Sequence, residues 1–319
     1  MQSGEMCPIL ISGGKMSYRR LSIIWLFLIG PLCLSATAGE RMETKYANLS
    51  KETLAALAEK GDASAQFDLG LMHAEGRGVP QNYQKAAEWY RKAARQGDTR
   101  AQTNLGALYE KGKGLKADLH AAADWYRKAA EQGNSVAQSN LGYMYSTGQG
   151  VPLDAQKAAD WFRKAAEQGY AAGQHNLASM YAKGQGVALD YKAAAFWHRK
   201  AAEQGDVSSQ SGLGFMYATG LGMPKDYQRA VEWFRKAAEQ GNANGQNNLG
   251  LAYLEGLGTA RNLVLAYALL NLAAANGNHS STTERESCLA QMSAAQIAES
   301  QEILATWKPG TPLPRETRN

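Results

Sequence analysis

The side chains with reactive chemistry in this 319-residue chain are few, and their spacing does not suit catalysis. Five histidines stand at 73, 120, 175, 198 and 279, and three cysteines at 7, 33 and 288. His120, His175 and His279 have no Asp, Glu or Cys neighbour at the spacing of a metal-binding helix or loop. The cysteines are too scattered for a zinc site or a disulfide framework, and Cys288 reads as a buried thiol. A Ser with a Lys three residues on, the pair that acylating penicillin-type enzymes use, occurs once, as Ser12-Gly13-Gly14-Lys15. Gly112-Lys113-Gly114 mimics part of a phosphate loop but lacks the spaced upstream glycine and the following Ser or Thr. These patterns predict no catalytic residue, no metal and no cofactor.

Composition narrows the class further. The chain is 45% hydrophobic and 20% charged, too apolar to remain disordered. Its 34 Lys and Arg are interspersed among 29 Asp and Glu, with no basic stripe of the kind a nucleic-acid binder shows. Residues 17–39 read as an export signal. Arg19 and Arg20 form a basic n-region, Leu21 to Leu34 an apolar run, and Ala36-Thr37-Ala38 a small-residue cleavage site. That run is shorter than the roughly 20 residues a spanning helix needs, so no permanent membrane span is predicted. Cleavage near Ala38 gives a periplasmic or secreted protein. Met16 is the better start, because it puts the arginines where an n-region belongs.

The elements that must position any site follow from a repeat. Glycines 97, 133, 169, 205, 241 and 277 recur every 36 residues, with Gly61 one period earlier. Leu69, Leu105, Leu141, Leu177, Leu213 and Leu249 form a second column, followed by Gly or, once, Ala178. Glycine pairs such as Gly112/Gly114 and Gly148/Gly150 form two more, and Trp89, Trp125, Trp161, Trp197 and Trp233 another. Self-similarity at this period signals a stacked solenoid. Each unit reads as two helices. Helix A runs over about 98–111 in the second unit and is stopped by Gly112; helix B starts after Asp118, a capping residue. Gly in a helix interior costs about 1 kcal/mol against Ala, so the Gly after each Leu predicts a neighbouring helix packed too close for a larger group. The Trp column predicts buried volume, worth about 3–5 kcal/mol on truncation. The Gln66, Gln102, Gln138, Gln174, Gln210 and Gln246 column predicts an internal hydrogen-bonding spacer.

Units of this form resemble Sel-1-like repeats, relatives of the tetratricopeptide repeat, and residues 134–169 (NSVAQSNLGYMYSTGQGVPLDAQKAADWFRKAAEQG) are close to a consensus copy. The resemblance covers 62–277 in six units. It implies an all-α, right-handed α-solenoid of six 36-residue helix-turn-helix repeats with N- and C-terminal capping helices. The organisation expected is a signal at 1–38, a capping helix within 39–61, the repeats at 62–277, capping helices within 278–308 (at about 284–291 and 294–307) and a loose tail at 309–319. Thr283-x-x-Glu286 and Ser293-x-x-Gln296 are the capping-box signatures behind those two helices. Some cysteine-rich members of the family have been proposed to bind or hydrolyse β-lactams, but their units carry a cysteine pair each and these six have none. A β-lactamase-like hydrolase is the least favoured reading.

What remains is a binding surface. The varying ridge of helix A follows i, i+3, i+7 and i+10, and solenoid curvature places it on the concave wall. Tyr143, Phe215 and Leu251 are large apolar groups on that ridge, with His175 beside them; they are either interaction anchors or packing between neighbouring A helices. Asn104, Asn140, Asn176 and Asn248 occupy the position that holds a peptide backbone in tetratricopeptide-like domains, or else cap structure between units. The Arg-Lys pairs of helix B, such as Arg127-Lys128, predict a solvated convex face. The chain reads as an exported, non-catalytic scaffold for protein or peptide partners in a cell-envelope or secreted process. A module for envelope polysaccharide, stacking sugars on Tyr143 and Phe215, is the alternative.

Overall fold

The computed structural model describes residue 46 and residues 49–314, so the expected export signal, the Ser12–Lys15 motif, Cys7 and Cys33 lie outside the described residues. The described residues form fifteen helices and no strand, an all-α solenoid. After α1 (Lys51–Glu59), the A helices are α2 (Ala63–Glu75), α4 (Thr99–Lys111), α6 (Ser135–Thr147), α8 (Ala171–Lys183), α10 (Val207–Thr219) and α12 (Ala243–Glu255). They alternate with the B helices α3 (Tyr83–Arg95), α5 (Leu119–Glu131), α7 (Ala155–Glu167), α9 (Tyr191–Glu203), α11 (Tyr227–Glu239) and α13 (Leu263–Ala275). Two further helices, α14 (Thr282–Leu289) and α15 (Ala294–Thr306), follow the last unit.

Helix ends are fixed by local chemistry. The Asp118 carboxylate accepts the Ala121 N–H at 3.0 Å and starts α5. Gly112 ends α4 at φ +63°, a left-handed conformation open to Gly at little cost. The second glycine of each pair does different work. A Cβ at Gly186 would collide with the Ala155 carbonyl at the start of α7, so that glycine lets the loop of one unit lie on the preceding unit. Ser293 and Gln296 form the expected capping box of α15, whereas α14 starts after Ser281 with no side-chain cap.

The residue after each column leucine is small because a neighbouring helix packs too close for a larger group, as the sequence predicts. A Cβ at Gly106 would lie 2.8 Å from Tyr126 Cε1, and one at Gly142 would lie 2.9 Å from Phe162 Cδ1. The crowding comes from an aromatic ring on helix B of the same unit. That ring, one position past the tryptophan, is the core residue of the unit. Tyr90 and Tyr126 are 2% and 0% exposed, while the tryptophans are only half-buried. Lys92 Nζ sits 3.8 Å over the Trp89 ring and Lys164 3.9 Å over Trp161, so the tryptophan column forms a lysine-covered flank rather than the centre.

Polar rungs join the units. Gln102 Nε2 donates to the Ala94 carbonyl of the preceding B helix at 3.1 Å, while its own oxygen accepts from Gln132 Nε2 at 2.9 Å. The same pair of bonds recurs along the Gln column, which makes it the predicted internal spacer. The arginines of helix B are not simply solvated. Arg91 and Arg199 donate to the hydroxyls of Tyr109 and Tyr217 on the next unit at 3.3 and 3.1 Å, and Arg235 does the same to Tyr253. Only the lysine half of each pair behaves as predicted. At the C-terminal end, the first tail residues are docked rather than loose. Gly310 N–H donates to the Glu239 carbonyl at 2.7 Å, and Leu313 is 3% exposed within the last core cluster, where Cys288 is also buried.

Candidate functional site

The ridge residues named from sequence lie on successive A helices, but they do not share one environment. Tyr143, Phe215 and Leu251 are half-buried. Tyr143 packs beside the core cluster of Phe162 and Leu177, and Phe215 beside that of Leu213 and Tyr253. Each therefore anchors against a neighbouring helix and leaves part of its side chain at the surface. The asparagine column divides in two. Asn104 bonds the hydroxyl of Tyr90, and Asn140 that of Tyr126, whose hydroxyl in turn donates to Glu110 at 2.7 Å. Burial pushes both tyrosines well above the ordinary phenol range, so they stay neutral hydrogen-bonding groups. In these two units the asparagine performs the structural role between units. Asn176 and Asn248 stand in the same column opposite Phe162 and Phe234, which have no hydroxyl to hold.

His175 belongs to a cluster that the sequence did not bring together. His198 stands in the column where other units carry Tyr90, Tyr126, Phe162 and Phe234, and it is buried there at 1% exposure. Within the fourth unit, between α8 and α9, its ring centroid lies 5.5 Å from that of His175. The Ser209 hydroxyl lies 2.9 Å from His175 Nδ1 and 3.3 Å from His198 Nδ1. Asp206 Oδ1 lies 3.4 Å from His175 Nδ1 and accepts the Ser209 N–H at 2.7 Å. Burial, reinforced by His175, pushes His198 down to about 3, and burial also lowers His175, against the pull of Asp206.

Asp206, His175 and Ser209 are the residue types of a nucleophilic triad, but the geometry does not make one. A triad needs the carboxylate and the nucleophile on opposite ring nitrogens, and here both approach Nδ1. Ser209 is also 0% exposed. Among the described residues, no group of three His, Cys, Asp or Glu side chains is arranged to hold a metal.

The signal that would have located this cluster is a set of coincident departures from the repeat. Ala178 replaces the column Gly, His198 the Tyr or Phe, Ser209 an Ala or Gly, and Gly212 the Asn. They are one substitution in physical terms. A five-membered ring leaves space for the Ala178 methyl, Ser209 supplies the ring with a partner, and without a phenol the Asn has nothing to bond.

The Sel1 repeat family model matches six consecutive stretches, residues 63–98, 99–134, 135–170, 171–206, 207–242 and 243–278. Among solved structures, the chain is similar to a protective antigen present in uropathogenic Escherichia coli strains that displays an SLR fold. The two share 37% identity with a TM-score of 0.71, over 81% of this chain and 56% of the antigen, so this chain spans little more than half of that protein. A Sel1 repeat protein from Oxalobacter formigenes matches at 34% identity with a TM-score of 0.63, over 70% of this chain and 88% of that one. No protein of curated function matches the chain.

Proposed function

Because the chain belongs to the Sel1 repeat family, whose members generally mediate protein–protein interaction and are typically non-catalytic, we propose that it is a non-catalytic scaffold that seats a protein partner along its A-helix ridge. The observation carrying this reading is the contrast between fixed and varying columns. The glutamine, glycine and ring columns are consumed in packing within and between units, while the ridge column of Ala107, Tyr143, Ser179, Phe215 and Leu251 differs from unit to unit, and the half-buried Tyr143, Phe215 and Leu251 keep surface for a ligand. Half-burial of the two aromatics favours a protein partner over a polysaccharide, because a sugar stacks on a fully presented ring face. The residue 17–39 pattern supports export, and with it a role in a cell-envelope or secreted process. Among the described residues, no helix is long and apolar enough to cross a membrane.

The test is crosslinking capture from the native envelope fraction with tagged chain starting at Gly39, beside a Tyr143→Ala/Phe215→Ala version. One dominant protein captured by the first and lost by the second supports the ridge. Capture by both moves the binding surface elsewhere, and no specific protein from either bait contradicts the scaffold.

A further inference from the structure

Two departures from the repeat, on the third and fourth units, trade a polar bond for an exposed apolar side chain. The first lies in the loop that leads from helix A to helix B. In the first and last units, Gln81 Nε2 and Arg261 Nε fold back and donate to the Ala74 and Leu254 carbonyls at 2.8 and 3.0 Å, answering the C-terminal end of the A helix. The same column holds Leu153 and Leu189, which offer no side-chain donor and stand 71% and 56% exposed. The second departure lies on α9. Glu88, Asp124, Asp160 and Glu232 share a column, in which Asp124 and Asp160 pair with Arg127 and Arg163 at 2.6 and 2.8 Å. The fourth unit places Phe196 there, 52% exposed, its ring centroid 4.9 Å from that of Trp197.

These side chains belong to one surface. A Cβ at Gly186 would collide with the Ala155 carbonyl, so the loop that carries Leu189 rests on the chain just after Leu153. Lys192 and Phe196, four residues apart on α9, share a face of the helix that begins directly after Leu189 and its neighbour Asp190. A single exposed leucine is ordinary on a protein surface. Large apolar groups on adjoining units, each where other units carry a polar side chain, mark an interaction site.

Charge says what this surface meets. The A-to-B loops, taken with the first turn of helix B (residues 76–85, 112–121, 148–157, 184–193, 220–229 and 256–265), carry nine Lys and Arg against four Asp. Those four, Asp118, Asp154, Asp190 and Asp226, each turn a carboxylate oxygen onto a backbone N–H of the helix they start. Lys116, Lys157, Lys192 and Lys225 are exposed, although Lys157 also reaches Asp154 at 3.2 Å. At its exposure Leu153 protrudes rather than lining a groove, which suits a soft apolar layer better than the packed face of a folded protein.

We propose that the loop edge of the third and fourth units docks on an anionic bilayer. Leu153, Leu189 and Phe196 enter the boundary between headgroups and acyl chains, and Lys157, Lys192 and the lysines of the neighbouring loops meet the lipid phosphates. The surface is made of loop and B-helix residues, not of the A-helix ridge, so it stands whether or not the ridge binds a partner.

The experiment floats the chain starting at Gly39, which holds every described helix and lacks the apolar 21–34 run, with two kinds of vesicle. One is phosphatidylglycerol and phosphatidylcholine in equal parts, the other phosphatidylcholine alone. Binding to the first is expected to be at least about tenfold tighter and to weaken with salt. Leu153→Gln/Leu189→Gln gives both positions the side chain of Gln81 at no change in charge. Its thermal midpoint should hold or rise while vesicle affinity falls at least about tenfold, and adding Phe196→Asp, the column residue, should lower it further. Lys157→Gln/Lys192→Gln should weaken binding to the anionic vesicles alone. No binding of the parent chain to anionic vesicles, equal affinity for both kinds, or affinity unaltered in either pair of substitutions overturns the proposal. A protein captured from the envelope fraction and lost with Leu153→Gln/Leu189→Gln, without vesicle binding, overturns it in favour of a protein partner at this edge.

Discussion

The junction between the second and third units and that between the fourth and fifth are built on the same frame and differ at its centre. In the first, Tyr126 fills the core, Gly106 makes room for it and Asn140 closes its hydroxyl. In the second, His198 is the smaller ring, Ala178 replaces the Gly, and Gly212 replaces the Asn while the ring stays buried. Apart from Ser209 and His175, which stand where the first junction has Ala137 and Thr103, the frame around them is the same in kind. The glutamine rungs through Gln138 and Gln210, the arginine–tyrosine contacts and the capping residues recur at both. The lesson is that three positions on two units form one packing choice. A change at any of them has meaning only beside the other two.

The largest way to probe this difference is to remove the ring. Tyr126→Ala should cost about 3–5 kcal/mol of unfolding free energy, measured in urea, and more than Trp125→Ala, because the tyrosine is the enclosed residue and the tryptophan only half-buried. Equal losses would return the tryptophan to the centre of the unit.

Gly106→Ala should destabilise by about 1–3 kcal/mol through ring crowding, although alanine is the better helix former. His198→Phe should be destabilised in the same way by Ala178, and adding Ala178→Gly should recover part of the loss. A double-mutant cycle is expected to give a coupling of about 1–2 kcal/mol, and strict additivity would break the three-position account.

A smaller effect is the response to acid. His198 has its pKa lowered by burial to about 3 in the folded chain, against 6.5 for a free side chain. The unfolded state therefore binds the proton first. Stability contributed by the neutral ring is complete above about pH 6.5 and falls as the pH drops from there toward about 3. His175, also lowered, acts in the same direction. Thermal midpoints of the Ala178→Gly/His198→Phe chain should fall less steeply over that window than those of the parent.

The smallest effect expected is at the arginine rungs. Arg199→Gln removes a partly exposed donor to Tyr217 and should cost under about 1 kcal/mol in the same urea titration.

The fold was legible in the sequence because the repeat prints its own constraints. Gly112 marks a helix end, Asp118 a helix start, and the Gln column a rung, each by a local rule repeated six times. Errors came where two residues of one column type compete for one role. Tryptophan is the larger ring and attracts the core assignment, yet the next residue points inward, and periodicity alone does not distinguish neighbours on a doubly buried helix. The docking of Leu313 was illegible because it depends on Glu239, 74 residues earlier. Of the ridge, the apolar positions were readable. The histidine cluster was not, because His175 and His198 lie on different helices and share Ser209, a residue that looks like another small column member.

The central claim is that the buried ring, the residue after the column leucine and the facing residue of the next unit form one packing choice at each junction. The double-mutant cycle of Ala178→Gly with His198→Phe, read as unfolding free energies in urea, tests this most directly. A coupling of about 1–2 kcal/mol is the predicted result, and strict additivity would contradict the account.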